Sequence, residues 1–334
     1  MNPLTLPVLS AAAFLTAAFA PAAANAPGGA PALSFPLACE PGRTCEIQHY
    51  VDRDPGPGTR DYRCGPKTYD KHTGVDIRLL DMAAERRGVD VLAAAAGRVS
   101  RLRDGVPDVS IRSPGAVSVA NQECGNGVVI DHGNGWETQY CHMARGSLRV
   151  KVGDSVAAGT PLGRVGLSGA TEFPHLHLTV RHAGQVVDPF APDMRNPQAC
   201  TAQTGMWTAQ ALARMAYRPG AILNAGFTDA PVTMDGVEGG GLAAFTSASP
   251  VLVAYVRSIA LLPGDEVEVD LKGPDGASLA RSRAKPLQRW RAQDLTYVGK
   301  RRPPAGWPSG LYVAEIKVWR AGKAAISRHI EQRL

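Results

Sequence analysis

The chain has 334 residues, 44% hydrophobic and 20% charged, the make-up of a folded protein of about two domains rather than a coiled coil, an internal repeat array or a disordered tract. The formal charge of +6 comes from scattered Lys and Arg with no basic stripe, which excludes a nucleic-acid-binding face. With 36 Gly and 26 Pro, the chain is expected to be mainly β and rich in turns. Residues 4–20 are apolar and Ala-rich, and Pro21-Ala22-Ala23-Ala24-Asn25-Ala26 follows with small residues. Residues 1–26 therefore read as an export signal cleaved after Ala20, Ala24 or Ala26, although no Lys or Arg precedes the apolar run. An uncleaved anchor is the alternative, disfavoured because the run is short for a membrane span. No other segment is expected to span a membrane.

The six cysteines are Cys39, Cys45, Cys64, Cys124, Cys141 and Cys200, and no pair forms a CxxC. An even number in an exported chain favours disulfides over a thiolate metal knot. A lead segment over residues 27–66 contains a strand at Ile47-Gln48-His49-Tyr50-Val51 and a turn at Asp54-Pro55-Gly56-Pro57-Gly58. In Val75-Asp76-Ile77-Arg78-Leu79 the alternation marks a half-buried strand, with Asp76 facing away from the core. Residues 89–99 read as two short strands broken at Gly97, and residues 103–113 as an inserted loop. Residues 127–132 and 136–142 are strands joined by Gly133-Asn134-Gly135, a strong hairpin signal. Folding about that turn brings Cys124 toward Cys141, so these two should pair. Cys39–Cys45 and Cys64–Cys200 is then the cheapest remainder.

Short strands follow at residues 150–156 and 160–165. Next comes Phe173-Pro174-His175-Leu176-His177-Leu178-Thr179-Val180, whose alternation points both imidazoles to one side of a sheet. Residues 193–219 read as a linker with a short helix at 208–215. Beyond it, strands at 251–256, 266–271, 311–319 and 325–327 with polar turns suggest a small immunoglobulin-like β-sandwich over residues 220–334.

His72, Asp76 and one histidine of the His175/His177 pair make a two-histidine, one-carboxylate set. That set suits a hydrolytic zinc site, which needs three protein ligands and an open position. The other histidine of the pair then stands where a general base is needed, and His142 could donate to a developing oxyanion. Isolated histidines are more often structural, which is the reading for His49, His132, His182 and His329. Ser168 in Gly166-Leu167-Ser168-Gly169-Ala170 misses the GxSxG elbow, so a serine hydrolase is not expected. Asp54, Asp61 and Asp70 lack calcium-loop spacing.

Four stretches, in order, resemble one known family: His72-Thr73-Gly74-Val75-Asp76, Gly127 through Trp136, Tyr140-Cys141-His142-Met143 and Pro174-His175-Leu176-His177. The glycine-rich stretches 152–159 and 163–169 fit as well. Together they resemble the M23 zinc metallopeptidases, the LytM/lysostaphin-type peptidoglycan endopeptidases, over residues 67–192. The resemblance implies an antiparallel-sheet catalytic domain with a duplicated hybrid motif. It implies Zn2+ held by His72, Asp76 and His177, with His175 as general base for a zinc-activated water and His142 stabilising the oxyanion. Cys141 in place of a frequent alanine, the long insertion and Leu178-Thr179 in place of a common Phe-Glu are the departures, and none removes a ligand. The expected substrate is the peptide stems of peptidoglycan. The expected location is the periplasm of a Gram-negative cell rather than the medium, with wall or protein contacts through the C-terminal sandwich. The alternative is a non-catalytic LytM-like regulator or scaffold of wall hydrolases.

Overall fold

The computed structural model describes residues 29–113, 118–193, 200 and 205–334. The export signal expected over residues 1–26 lies outside the described residues. No helix among the described residues is long and apolar enough to cross a membrane.

The first module carries, in chain order, β1 (Cys45–His49), β2 (Val75–Leu79), α1 (Met82–Arg87), β3 (Asp90–Leu92), β4 (Gly97–Arg103), β5 (Asn126–Gly133), β6 (Trp136–Met143), β7 (Ser155–Val156), β8 (Pro161–Arg164), β9 (His175–His182) and β10 (Gln185–Val187). Eight of these strands form one antiparallel sheet in the order β1-β2-β9-β6-β5-β4-β7, with β10 paired to β9. β3 and β8 form a small second sheet. The β5–β6 turn has Asn134 at φ 50° and Gly135 at φ 78°. Two left-handed residues in a row match the twist of a tight hairpin, which explains why Asn-Gly stands there.

One face of the sheet is apolar. Val75, Ile77 and Leu79 of β2 and Leu176, Leu178 and Val180 of β9 are almost wholly buried in a single core. The lead segment adds Leu33, Phe35 and Leu37 to that core. The stretch expected as a linker carries α2 (Ala209–Arg214) and contributes Met206, Trp207, Ala211 and Met215 to it. Three disulfides form, Cys39–Cys45, Cys64–Cys200 and Cys124–Cys141, as expected.

The second module contains β11 (Ala221–Thr228), α3 (Met234–Gly239), β12 (Val251–Leu261), β13 (Glu266–Lys272), β14 (Ser278–Arg283), β15 (Arg291–Arg301), β16 (Leu311–Arg320) and β17 (Lys323–Arg333). Sheets β11-β12-β15 and β14-β13-β16-β17 pack around one shared core that includes Leu252, Val256, Val269, Ile316 and Trp307. Seven antiparallel strands split between two sheets in this non-sequential order are an immunoglobulin-like sandwich.

Local readings needed revision in several places. The break within residues 89–99 falls at Ala93-Ala94-Ala95-Ala96, and Gly97 opens β4 instead of ending a strand. A Cβ at Gly97 would lie 2.5 Å from the Asp131 carbonyl of the neighbouring strand, so the glycine serves close strand approach rather than a turn. The strand expected over 150–156 shrinks to the two residues of β7. Helices α1 and α3 and strands β11, β14 and β15 were not anticipated. α1 is six residues long and held by a side-chain cap, Asp81 accepting from the Ala84 N–H at 2.8 Å.

Candidate active site

β9 runs through the middle of the site. Its register sets His177 opposite Asp76 of β2 on one side and opposite Cys141 of β6 on the other. His175 and His177 face the groove while Leu176 and Leu178 enter the core, so the alternation read from sequence holds. His72 arrives from the turn before β2, where its N–H donates to the Tyr69 carbonyl. These elements surround a groove of about 350 Å3 whose walls include Tyr69, Glu123, Gln139, His142 and Arg181.

Three donor atoms converge at its base. His177 Nδ1 lies 2.8 Å from Asp76 Oδ1, and His72 Nε2 lies 3.1 Å from the same oxygen. The two ring nitrogens are 3.2 Å apart. Each ring is tied on its far side, His72 Nδ1 donating to the Tyr50 carbonyl at 2.7 Å and His177 Nε2 meeting Thr179 Oγ1 at 3.0 Å. Such tethers fix which nitrogen faces inward. Acceptor atoms this close need positive charge between them: a proton, or a metal cation. Burial opposes charge on His72, yet Asp76 beside it outweighs burial and raises its pKa. Burial also opposes charge on Asp76, but His72, His175 and His177 together hold its carboxyl well below the usual range. Burial lowers His177. Two imidazole nitrogens and one carboxylate oxygen, all anchored, are a donor set that zinc accepts.

His175 and His142 stand next to this cluster. His175 Nδ1 donates to the Phe173 carbonyl at 2.9 Å, with Thr171 Oγ1 at 3.1 Å, so Nε2 points inward, 3.4 Å from Asp76 Oδ1. His142 Nδ1 donates to the Ser168 carbonyl at 2.8 Å, and its ring centre is 4.6 Å from that of His175. Burial first, then His175 and His177, push the His142 pKa well down. The backbone at His142 is left-handed, φ 62°, a conformation that a β-strand residue adopts only when its surroundings impose it. Here its N–H donates to the Cys124 carbonyl at 2.8 Å, and Cys124 is disulfide-bonded to Cys141. The five residues singled out from sequence thus meet in one place.

Some contributors were missed. His49, taken as structural, places Nδ1 3.0 Å from Asp76 Oδ2 and so holds the second carboxylate oxygen. Its partner across the β1–β2 register is Asp76, a pairing that no local pattern announces. Tyr69 sets its ring, tilted by 34°, 4.3 Å from that of His72. Gly74 is required by contact: a Cβ there would lie 2.6 Å from His177 Nε2 and 2.7 Å from the Leu178 carbonyl. His132 bonds Ala96 O and Thr138 Oγ1, and His182 stacks on Trp136, both as structural residues. Ser168 is buried, donating to Met143 O at 2.7 Å and accepting from Asn126 N at 2.9 Å, which leaves no free nucleophile.

The sequence comparisons point to one family. Residues 70–189 match the profile of peptidase family M23. The chain is 32% identical over 151 residues to the DD-carboxypeptidase/endopeptidase Mpg of Neisseria meningitidis, covering 45% of this chain and 29% of that one. It is 30% identical over 125 residues to the cell division protein DipM of Caulobacter vibrioides, covering 37% and 17%. It therefore spans less than a third of the length of these curated relatives. Among solved structures, the catalytic domain of the prophage-encoded M23 protein EnpA from Enterococcus faecalis is similar at 24% identity, with a TM-score of 0.32 over 47% of this chain and 94% of that one. Motif order, the profile match and the converging histidines lead to one conclusion: the chain carries a domain of peptidase family M23 over residues 70–189.

Proposed function

We propose that the protein is an exported zinc-dependent endopeptidase that hydrolyses peptide bonds in the cross-links of peptidoglycan. The observation that carries this reading is the convergence of His72 Nε2, Asp76 Oδ1 and His177 Nδ1 beside two further anchored histidines at the base of an open groove. His72, Asp76 and His177 are the ligands in this proposal. Zinc bound there supplies a Lewis acid for the scissile carbonyl and lowers the pKa of water.

His175 is the general base. Its Nδ1–H is committed to the Phe173 carbonyl, so the neutral ring offers its Nε2 lone pair to the attacking water. His142 stabilises the oxyanion. With Nδ1–H committed to Ser168 O, its Nε2 donates only from the imidazolium form, so this role needs the negative charge developing on the substrate to hold a proton there. The organisation that fits is a signal at 1–26, a lead at 27–66, the peptidase unit at 67–192, a connecting stretch at 193–219 and the sandwich at 220–334. Wall chemistry and three disulfides favour the periplasm.

The test is asymmetric. His177→Ala should lose both bound zinc and cleavage of purified peptidoglycan. His175→Ala should keep zinc and lose cleavage. Full metal content in both variants removes the ligand assignment. A non-catalytic scaffold need not hold stoichiometric zinc, so elemental analysis of a chelator-free preparation separates that alternative.

A further inference from the structure

Arg78 lies two residues beyond Asp76 on β2, on the same face of the sheet, and sits opposite His175 in the β2–β9 register. Its side chain is fully buried, and Nη2 reaches Glu238 Oε2 at 2.7 Å. Glu238 belongs to α3 of the C-terminal module. Arg257 of β12, equally buried, closes on the same oxygen and also holds Asn224 Oδ1 and the Leu80 carbonyl. One carboxylate thus lies between two buried guanidiniums from different modules. The Arg78 guanidinium then lies 4.2 Å from the centre of the Phe173 ring. That ring is 4.8 Å from the His175 ring, and the Phe173 carbonyl accepts from His175 Nδ1.

Resting on the peptidase reading above, we propose that Glu238 is a positioning residue for His175, so that the C-terminal sandwich braces the active site instead of serving only as a separate binding module. Two guanidiniums in a water-poor interface repel each other unless a carboxylate lies between them. Glu238 removes that repulsion and, together with Gln48 Oε1 on Nη1, holds the Arg78 guanidinium against the Phe173 ring. The cation–π contact fixes the Phe173 peptide, and its carbonyl fixes the tautomer and ring plane of His175. A buried ion pair adds little net stability compared with an apolar contact of similar size, so its effect here is on geometry.

The test uses the full-length protein and compares Glu238→Ala with Arg320→Ala. Arg320→Ala breaks a part-buried pair with Asp265, next to the Pro219 carbonyl and separate from the Arg78–Glu238–Arg257 cluster. Solvent exchange of the His175 ring Nδ1–H, followed by NMR, should speed up about tenfold or more in Glu238→Ala and stay unchanged in Arg320→Ala. The kcat on a soluble cross-linked peptide should fall about ten- to a hundredfold in Glu238→Ala, with KM and zinc content retained, as expected for a misplaced base. Phe173→Leu, which removes the ring but leaves the ion pair, should give the same exchange change, and it reads the same step if Glu238→Ala does not fold. Unchanged His175 ring exchange in either variant overturns the proposal. Faster exchange in a protein whose wild type cuts no peptide keeps the brace and overturns the peptidase reading.

Discussion

Replacing His49 with alanine tests how far the site depends on a residue that binds no metal in the proposed scheme. His49 Nδ1 donates to Asp76 Oδ2 at 3.0 Å, and Asp76 is only 2% exposed, so water is poorly placed to substitute for the lost donor. Burial lowers the His49 pKa, so the donor is a neutral ring facing a charged acceptor. A hydrogen bond to a charged group contributes about 1.5–3 kcal/mol. Without it the carboxylate gains rotational freedom and its pKa rises, so protons compete harder for the metal position. Loss of such supporting partners typically weakens metal affinity by about ten- to a hundredfold, in line with that energy. Zinc affinity should be measured by chelator competition for wild type, His49→Ala and His132→Ala, with the deficit of His49→Ala growing as pH falls. His132 also has both ring nitrogens bonded, but outside the cluster, so its removal should lower stability and spare zinc. An affinity for His49→Ala within twofold of wild type would refute the reasoning.

Gly74→Ala should displace His177, because the new Cβ has no room beside its ring and the Leu178 carbonyl; zinc content falling with the fold intact by circular dichroism is the expected result. Replacing Cys124 and Cys141 together by serine opens a loop of 17 residues, worth about 3 kcal/mol by loop entropy, and frees the Cys124 carbonyl that holds His142; thermal denaturation and kcat should both decline. Lys67 is fully buried on the carbonyls of Ile47 and Arg218, and burial pulls its pKa down to about 8. Between about pH 8 and 10 the unfolded chain binds the extra proton, so this group makes stability rise with pH, and Lys67→Met should flatten that rise in chemical denaturation.

Much of the site is legible in the sequence because its ligands sit in locally regular patterns. Alternation in Val75-Asp76-Ile77 and in His175-Leu176-His177-Leu178 assigns each side chain to a face before any partner is known. The Gly133-Asn134-Gly135 turn fixes a hairpin, and the hairpin brings Cys124 to Cys141. In the C-terminal module the sandwich is readable from strand spacing, while β11, β14 and β15 are not. Their burial is partial and mixed, so the hydrophobic rhythm is weak. Residues 193–219 read as a connector because their sequence is short-helical and mixed. Only the three-dimensional core shows that Trp207 and Met215 complete the first module.

Side-chain periodicity and turn chemistry act over a few residues, so the sequence by itself determined the strand faces of β2 and β9, the hairpin and the Cys124–Cys141 pair, and it singled out the five groove residues. Tertiary structure alone decided what depends on strand order and on contacts between distant segments. β9 lies between β2 and β6, so its two same-face histidines meet different neighbours, His177 Nδ1 at Asp76 Oδ1 and His175 Nδ1 at the Phe173 carbonyl. β1 lies against β2, which brings His49 to the free oxygen of Asp76. The second module lies against the first at Arg78, where Glu238 reaches across 160 positions of chain to a residue facing His175. No local pattern encodes such a contact, because its energy exists only when both surfaces have folded and excluded water.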